Sequence, residues 1–161
     1  MTASVFPFAG LVLAQDASPI DGPRLAAVAR TLADAGASPV VVALAPDVEA
    51  PPGARIVRTR ANGSAIAAIR LGMAQLTNTI ARAVLLVPLG SEVPSLVSLL
   101  ALVDAAKGDA QALVAFANAG LDASTVLLPR DAWLELVTVG ESGMNSVAAR
   151  RRTIRVEAEP G

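Results

Sequence analysis

Cysteine, histidine and tyrosine are absent from the 161 residues, and the aromatic side chains are limited to three Phe and one Trp. Without cysteine the chain has no disulfide, no thiolate metal ligand and no cysteine nucleophile. Without histidine it has no imidazole general base, no histidine metal ligand and no Ser-His-Asp triad. The composition therefore excludes several common kinds of catalytic and metal site.

Charge is scarce and nearly balanced. Charged residues make up 17% of the chain and the formal net charge is −1, which argues against nucleic acid as the main partner. One basic run, residues 150–152, is interpreted as a solvated helix end, with polyanion binding as the alternative. Hydrophobic residues make up 53% of the chain, yet no apolar run approaches the roughly 18–20 residues that cross a bilayer. We therefore predict no membrane partner.

The first 14 residues are apolar, and residues 12–14 resemble a signal-peptidase site. However, no Lys or Arg precedes the apolar part, and Pro7 and Gly10 interrupt it. We interpret this segment as a first strand rather than a cleaved signal, and we expect a cytoplasmic protein.

Strand-like segments alternate with amphipathic ones along the chain. Leu25, Val28 and Leu32 follow helical spacing, which predicts a helix over residues 22–35 that ends at Gly36. The predicted strands are residues 8–14, 39–44, 55–58, 83–87, 112–116, 125–128 and 153–156. The other predicted helices are residues 65–76, 94–106, 129–137 and 144–151. This alternation predicts an α/β protein with a three-layer, doubly wound, mostly parallel sheet (Rossmann-like), built as a single domain over residues 1–161.

Ligands of such sheets bind beyond the carboxyl ends of the strands. The loops that follow the first, third and fourth predicted strands are therefore the expected functional segments. They comprise residues 15–18, 59–64 and 88–92.

Several segments in order along the chain match one family. The first strand of this family is similar to residues 10–14 (GLVLA), and its L-x-G-x-P-L segment to residues 20–25 (IDGPRL). Its G-M-S-x-S-L-x-x-G segment is similar to residues 63–73 (GSAIAAIRLGM), and its P-V-L-L-P-R-x-x-[WF] segment to residues 126–133 (VLLPRDAW). Residues 140–143 are similar to its G-D-x-G turn. On these motifs the chain resembles, nearly end to end, the MobA-like (molybdenum-cofactor) nucleotidyltransferases, with their nucleotidyltransferase fold.

The resemblance implies a nucleotide cleft lined by Ala14, Asp16, Ser18, Gly63 and Ser64. Active members move a nucleoside monophosphate from an NTP to a phosphorylated acceptor such as a molybdopterin-type cofactor, with Mg²⁺. Here Gln15 and Asp16 replace the Ala-Gly of the family's phosphate loop, and Ser18 runs directly into Pro19 without the family's Arg, Gly and Lys.

The family's metal site is also altered. Residues 83–90 contain no carboxylate where the family has a strand-four Asp, and the family's second acidic motif does not occur in the sequence. We therefore expect a degenerate member without transferase activity, which acts as a binding, scaffolding or oligomerisation module with a protein partner or a second copy. No cofactor is then required. The alternative is an active nucleotidyltransferase that uses Mg²⁺ and a nucleotide. A third alternative is binding of a nucleotide or pterin without turnover.

Three features permit both a functional and a structural interpretation. Asp16 and Glu92 follow neighbouring strands and form either a site for Mg²⁺ or another hard cation, or a pair of ordinary loop acids. Residues 62–64 present N–H groups to an anion, or simply cap a helix. Trp133 stacks on a base, or anchors the core or an interface. In each case we favour the structural interpretation.

Overall fold

The computed structural model describes residues 6–60, 63–89, 95–109, 111–117, 125–133, 135 and 152–157. The strands are β1 (Phe8–Ala14), β2 (Val40–Leu44), β3 (Arg55–Arg58), β4 (Ala83–Pro88), β5 (Leu113–Phe116), β6 (Val126–Pro129) and β7 (Thr153–Val156). The α-helices are α1 (Gly22–Ala35), α2 (Ala65–Ala74) and α3 (Leu96–Gly108), and short 3₁₀ turns lie at Pro19–Asp21 and Arg130–Ala132.

The seven strands form one sheet in the order β3-β2-β1-β4-β6-β5-β7. Within this sheet β6 runs antiparallel to both β4 and β5, and the other pairs are parallel. Helices cover both faces of the sheet, because α1 and α3 belong to one hydrophobic cluster and α2 to the other. The predicted three-layer, mostly parallel α/β fold is confirmed.

The central strand β1 alternates its side chains between the two helical layers. Val12 packs with α1 and α3, whereas Leu11 packs with α2. The helix α2 approaches very closely, because an added Cβ on Gly72 would lie 2.3 Å from Leu11 Cδ1. Glycine at this position therefore allows α2 to lie directly on the middle of the sheet.

The helix predicted after β6 begins later in the structure than the sequence suggests. A helix was expected over residues 129–137, but Pro129 is the last residue of β6, has an extended backbone (φ −67°, ψ 151°) and pairs with Ala83. A 3₁₀ turn, Arg130–Ala132, follows, and helical backbone begins only at Trp133, since Trp133 and Glu135 are both helical. The sheet pairing of Pro129 outweighs the local preference of proline for the first turn of a helix.

Arg130 holds the loop between α2 and β4. Its guanidinium donates to the backbone carbonyls of Thr77 (2.7 Å), Thr79 (2.7 Å) and Ala81 (2.8 Å). It also lies 4.9 Å from the centroid of the Trp133 ring. Five donors in a rigid fork let one arginine satisfy several carbonyls at once.

Trp133 is 6% exposed and belongs to the α2-side cluster. Its Nε1–H donates to the carbonyl of Leu128 at 3.1 Å. The core interpretation of Trp133 is therefore confirmed.

Some predictions lie outside the described residues: the turn at 118–124, the turn at 140–143 and the helix at 144–151. The same holds for residues 150 and 151 of the basic run, whereas Arg152 forms an ion pair with Asp109 at 3.0 Å. Among the helices of the described residues, none is long and apolar enough to cross a membrane.

Candidate functional site

The carboxyl ends of β1, β2 and β4 meet at one edge of the sheet. Ala14 lies beside Leu44 of β2, and Leu13 lies beside Pro88 of β4. The chain passes from β1 to β2 on one side, whereas β4 returns to the other side of β1. A crevice forms where the strand order reverses in this way. The loop after β1 is therefore at the position where this class of sheet binds ligands.

Ala14 ends β1 and anchors the loop that follows. Its carbonyl accepts hydrogen bonds from the N–H groups of Ala17 (3.2 Å) and Ala45 (3.1 Å). The first bond closes a tight turn and the second ties the turn to the end of β2. Ala14 itself is fully buried, so its contribution to the crevice is this backbone position.

The turn exposes Asp16 and leads into a contact between Ser18 and Asp21. The Asp21 carboxylate accepts the backbone N–H of Ser18 at 2.9 Å and the Ser18 hydroxyl at 3.4 Å. The Asp21 N–H in turn donates to the Ser18 carbonyl at 2.9 Å. A carboxylate of the chain thus accepts a hydrogen bond from a backbone donor in the loop that follows β1.

Gln15 lies between Ala14 and Asp16 in the loop after β1, a position for which the sequence predicts no role. Its side-chain oxygen is buried, and in the described part of the chain it has no hydrogen-bond partner. A buried amide oxygen without a donor is unfavourable by about 1–3 kcal/mol. The burial of this oxygen is visible only in the packing at the end of β1, because a sequence does not indicate whether one atom of a loop side chain is buried.

In the loop between β3 and α2, Gly63 and Ser64 each form a hydrogen bond within the chain. The Gly63 N–H donates to the Arg60 carbonyl at 3.0 Å, and an added Cβ on Gly63 would lie 3.1 Å from that oxygen. The Ser64 hydroxyl accepts from the Ala67 N–H at 3.2 Å, which makes Ser64 the N-cap of α2. The N-cap interpretation of this segment is confirmed for Ser64, and Asn62 lies outside the described residues.

The prediction that strands one and four are neighbours is confirmed by the pairing of β1 with β4. Glu92, the proposed partner of Asp16, lies outside the described residues, so the cation site stays a prediction. Across the ranges that the structure describes, no group of three or more acidic, His or Cys side chains is placed to hold a metal ion. Of the predicted residues, the structure brings Ala14, Asp16 and Ser18 together in one loop and places Gly63 and Ser64 at the start of α2.

No protein-family model and no curated protein sequence matches this chain. Solved structures do. The chain is similar to Rv0371c from Mycobacterium tuberculosis H37Rv, with 16% identity and a TM-score of 0.74 over 100% of this chain and 91% of that chain. A complex of the same protein with manganese gives a TM-score of 0.72 at 16% identity, over 96% of this chain and 90% of that chain.

Two further structures have explicit enzymatic names. A nucleotidyl transferase from Methanothermobacter thermautotroptrophicus is 13% identical with a TM-score of 0.68, over 96% of this chain and 88% of that one. A 4-diphosphocytidyl-2C-methyl-D-erythritol synthase is 14% identical with a TM-score of 0.68, over 98% and 91%. At these identities the likeness concerns the fold alone: the chain shares the mostly parallel α/β fold of these structures.

Proposed function

We propose that this chain is a degenerate MobA-like member of the nucleotidyltransferase fold that lacks transferase activity and acts as a binding or interaction module. The observation on which this rests is the hydrogen bond from the Ser18 N–H to the Asp21 carboxylate. Nucleotidyl transfer depends on positioning a triphosphate and stabilising its charge. In this loop the Asp21 carboxylate accepts the hydrogen bond of the Ser18 N–H, a donor that a bound phosphate would need.

The charge of the loop supports the same conclusion. Asp16 is exposed just beyond β1, and Asp21 lies five residues further along the chain. Two unit charges of the same sign at 4 Å repel by about 1 kcal/mol in water and about 4 kcal/mol near a protein surface. A triphosphate has several such charges, so the acidic loop disfavours its binding.

An active Mg²⁺-dependent nucleotidyltransferase is the second candidate. It is supported by the exposed carboxylate of Asp16 at the end of β1 and by the similar structure that holds manganese. In this case Asp16 holds the metal, and the metal neutralises the charge that otherwise repels the triphosphate.

Thermal unfolding with GTP, CTP and ATP, each with and without Mg²⁺ or Mn²⁺, separates the two candidates. A ligand at 100 times its dissociation constant stabilises the folded state by about 2.7 kcal/mol. For a chain of this length that raises Tm by roughly 5–10 °C. The proposal expects no nucleotide to change Tm and calorimetry to detect no heat with millimolar metal alone.

A matched pair of variants makes the outcome specific to the loop. Asp16→Asn removes the loop carboxylate, and Asp34→Asn removes an exposed carboxylate from the other end of α1. A metal-dependent rise in Tm with a nucleotide that Asp16→Asn abolishes and Asp34→Asn preserves would favour the active candidate and contradict the proposal, and release of pyrophosphate would then test for transfer itself.

A further inference from the structure

β3 is an outer strand of the sheet, and its charged residues all have the same sign. It pairs with β2 alone among the described strands. The charged residues of the strand and its extension are Arg55, Arg58 and Arg60, and all three are exposed. Within the described ranges none of the three forms an ion pair. The edge therefore has a positive charge that no acidic side chain of those ranges contacts.

The hydrogen bonds to β2 show which backbone groups of β3 face outward. The Thr59 N–H donates to the Leu44 carbonyl at 2.9 Å, so the backbone of Thr59 is directed toward β2. Backbone groups of a strand point alternately to its two sides. Ile56 and Arg58 therefore point away from β2, and in the described part of the chain their N–H and C=O groups have no other backbone partner. Such unpaired groups are able to bind an additional strand.

The chain turns away from this edge directly after β3. The Gly63 N–H donates to the Arg60 carbonyl at 3.0 Å, which closes a tight turn, and Ser64 then caps α2. The other segments outside the described ranges adjoin other strands. Residues 1–5 adjoin Phe6, which lies two strands from β3 and about 17 Å before the level of Arg55 along the strand direction. The remaining segments adjoin β4 or strands beyond it.

The arginines of β3 keep their charge available on both faces of the sheet. Arg55 shares the α2 face with Val57 and donates to the Gln75 carbonyl at 3.3 Å. Arg58 is on the α1 face and donates through Nη1 to carbonyls of the loop between β2 and β3. These carbonyls have no net charge, and a guanidinium has five donors, so each arginine is able to bind a carboxylate as well.

Two acidic residues lie in the loop between β2 and β3. Asp47 and Glu49 are both exposed, and within the described residues neither forms an ion pair. Val48, between them, is buried in the cluster on the α1 side. The loop therefore lies over that face of the sheet, and the α2 face of β3 has only the arginine charge at Arg55.

We propose that β3 binds an extended acidic segment of a partner protein as an eighth strand of the sheet. The segment pairs with the outward backbone groups of Ile56 and Arg58, and its carboxylates face the three arginines. Opposite charges across a strand pair stabilise it and like charges destabilise it, so a second copy of β3 is disfavoured as the partner. This inference rests on the proposed role as an interaction module and gives that module a partner of stated chemistry.

Calorimetry with synthetic peptides tests the charge of the partner. The probe is a capped hexapeptide that alternates Glu with Val, and its matched control has Lys in place of Glu. The acidic peptide is expected to bind with a Kd of about 0.1–1 mM, because so small an interface is weak, and the basic peptide is expected to give no heat. Arg55→Glu and Arg60→Glu each weaken the binding by about three- to tenfold. Arg30→Glu, at an exposed position of α1, makes the same change of charge and is expected to bind normally.

Amide hydrogen exchange, measured by NMR, tests the position independently of charge. Saturating acidic peptide is expected to slow exchange at Ile56 and Arg58 severalfold. Val57 is the internal control, because its N–H is directed toward β2 and is unchanged by an outer strand. A peptide that is N-methylated at alternate amides retains its charges but loses donors for the pairing, and it is expected to bind about tenfold more weakly.

Four results would each overturn the proposal. These are an acidic peptide that gives no heat at millimolar concentration, a basic peptide that binds equally well, unchanged exchange at Ile56 and Arg58, and charge variants that bind like the wild type. Equal binding of a single-stranded oligothymidylate would show a general polyanion site and would also overturn it. Each variant is compared at a Tm equal to that of the wild type. The peptides do not probe the crevice after β1, so the nucleotide titration decides the loss of transferase activity separately.

Discussion

Replacing Gly72 by alanine tests the close approach of α2 to the centre of the sheet. The new Cβ would lie 2.3 Å from Leu11 Cδ1 and 2.7 Å from Leu11 Cδ2. Leu11 is fully buried, between β2 and β4, so its methyl groups have little room to move. Overpacking a core costs about 1–3 kcal/mol, and the better helix propensity of alanine returns about 1 kcal/mol. With a contact this short we expect a net loss of about 1–2 kcal/mol, which lowers Tm by roughly 2–8 °C.

A double-mutant cycle isolates the contact. Leu11→Ala alone leaves a cavity and is expected to cost about 2–5 kcal/mol. In that background the clash is gone, so Gly72→Ala stabilises the protein by about 1 kcal/mol. The coupling free energy between the two sites is therefore about 2–3 kcal/mol, measured by urea unfolding of the four proteins.

Gly22→Ala is the control for the conformational effect of glycine. Gly22 lies at the start of α1 with helical φ and ψ, and no atom is within 4 Å of its added Cβ. This change is expected to stabilise the protein by about 0.4–1 kcal/mol. If the effects of Leu11→Ala and Gly72→Ala add to within about 0.5 kcal/mol, the reasoning about the contact is refuted.

Two further predictions concern the segment after β6. Arg130→Ala removes three hydrogen bonds to the carbonyls of the loop before β4 and is expected to cost about 2–4 kcal/mol in urea unfolding. Arg82→Ala, at an exposed position of the same loop, is expected to change stability by less than about 0.5 kcal/mol. Equal effects of the two substitutions would contradict the structural role of Arg130. Trp133→Phe leaves the Leu128 carbonyl without its indole donor and is expected to cost about 1–2 kcal/mol in thermal unfolding, and an unchanged Tm would show that this bond contributes nothing.

Where the signals are local, the elements were predicted well from the sequence. The predicted bounds of α1, β3 and β7 agree with the structure. At the end of α1, Gly36 has a φ of 106° and its N–H donates to the Ala33 carbonyl. Such a left-handed C-cap strongly favours glycine, so the residue type alone marks the end of the helix.

The start of the helix after β6 was predicted wrongly, because it depends on contacts between distant segments. Pro129 continues β6 because it pairs with Ala83, and Arg130 is held by carbonyls about 50 residues earlier in the chain. The preference of proline for the start of a helix is a local property, so it does not predict the pairing of Pro129 with Ala83 or the hydrogen bonds of Arg130. The antiparallel direction of β6 within a parallel sheet was not predicted for the same reason.

The candidate site divides in a similar way. The position of the loop after β1 follows from the alternation of strands and helices, and the N-cap role of Ser64 follows from its residue type. The bond between Ser18 and Asp21 and the burial of the Gln15 oxygen depend on side-chain conformation, which spacing in the sequence does not determine.

The buried position of Trp133 has a practical consequence for spectroscopy. It is the one tryptophan of a chain that has no tyrosine, so the intrinsic fluorescence excited at the red edge of absorption comes from one indole. That indole is packed in the core, bonded to Leu128 and faced by the Arg130 guanidinium. Its emission therefore reports local unfolding around Trp133, at the end of β6. Compared with circular dichroism of the whole chain, it would show whether that region unfolds together with the rest.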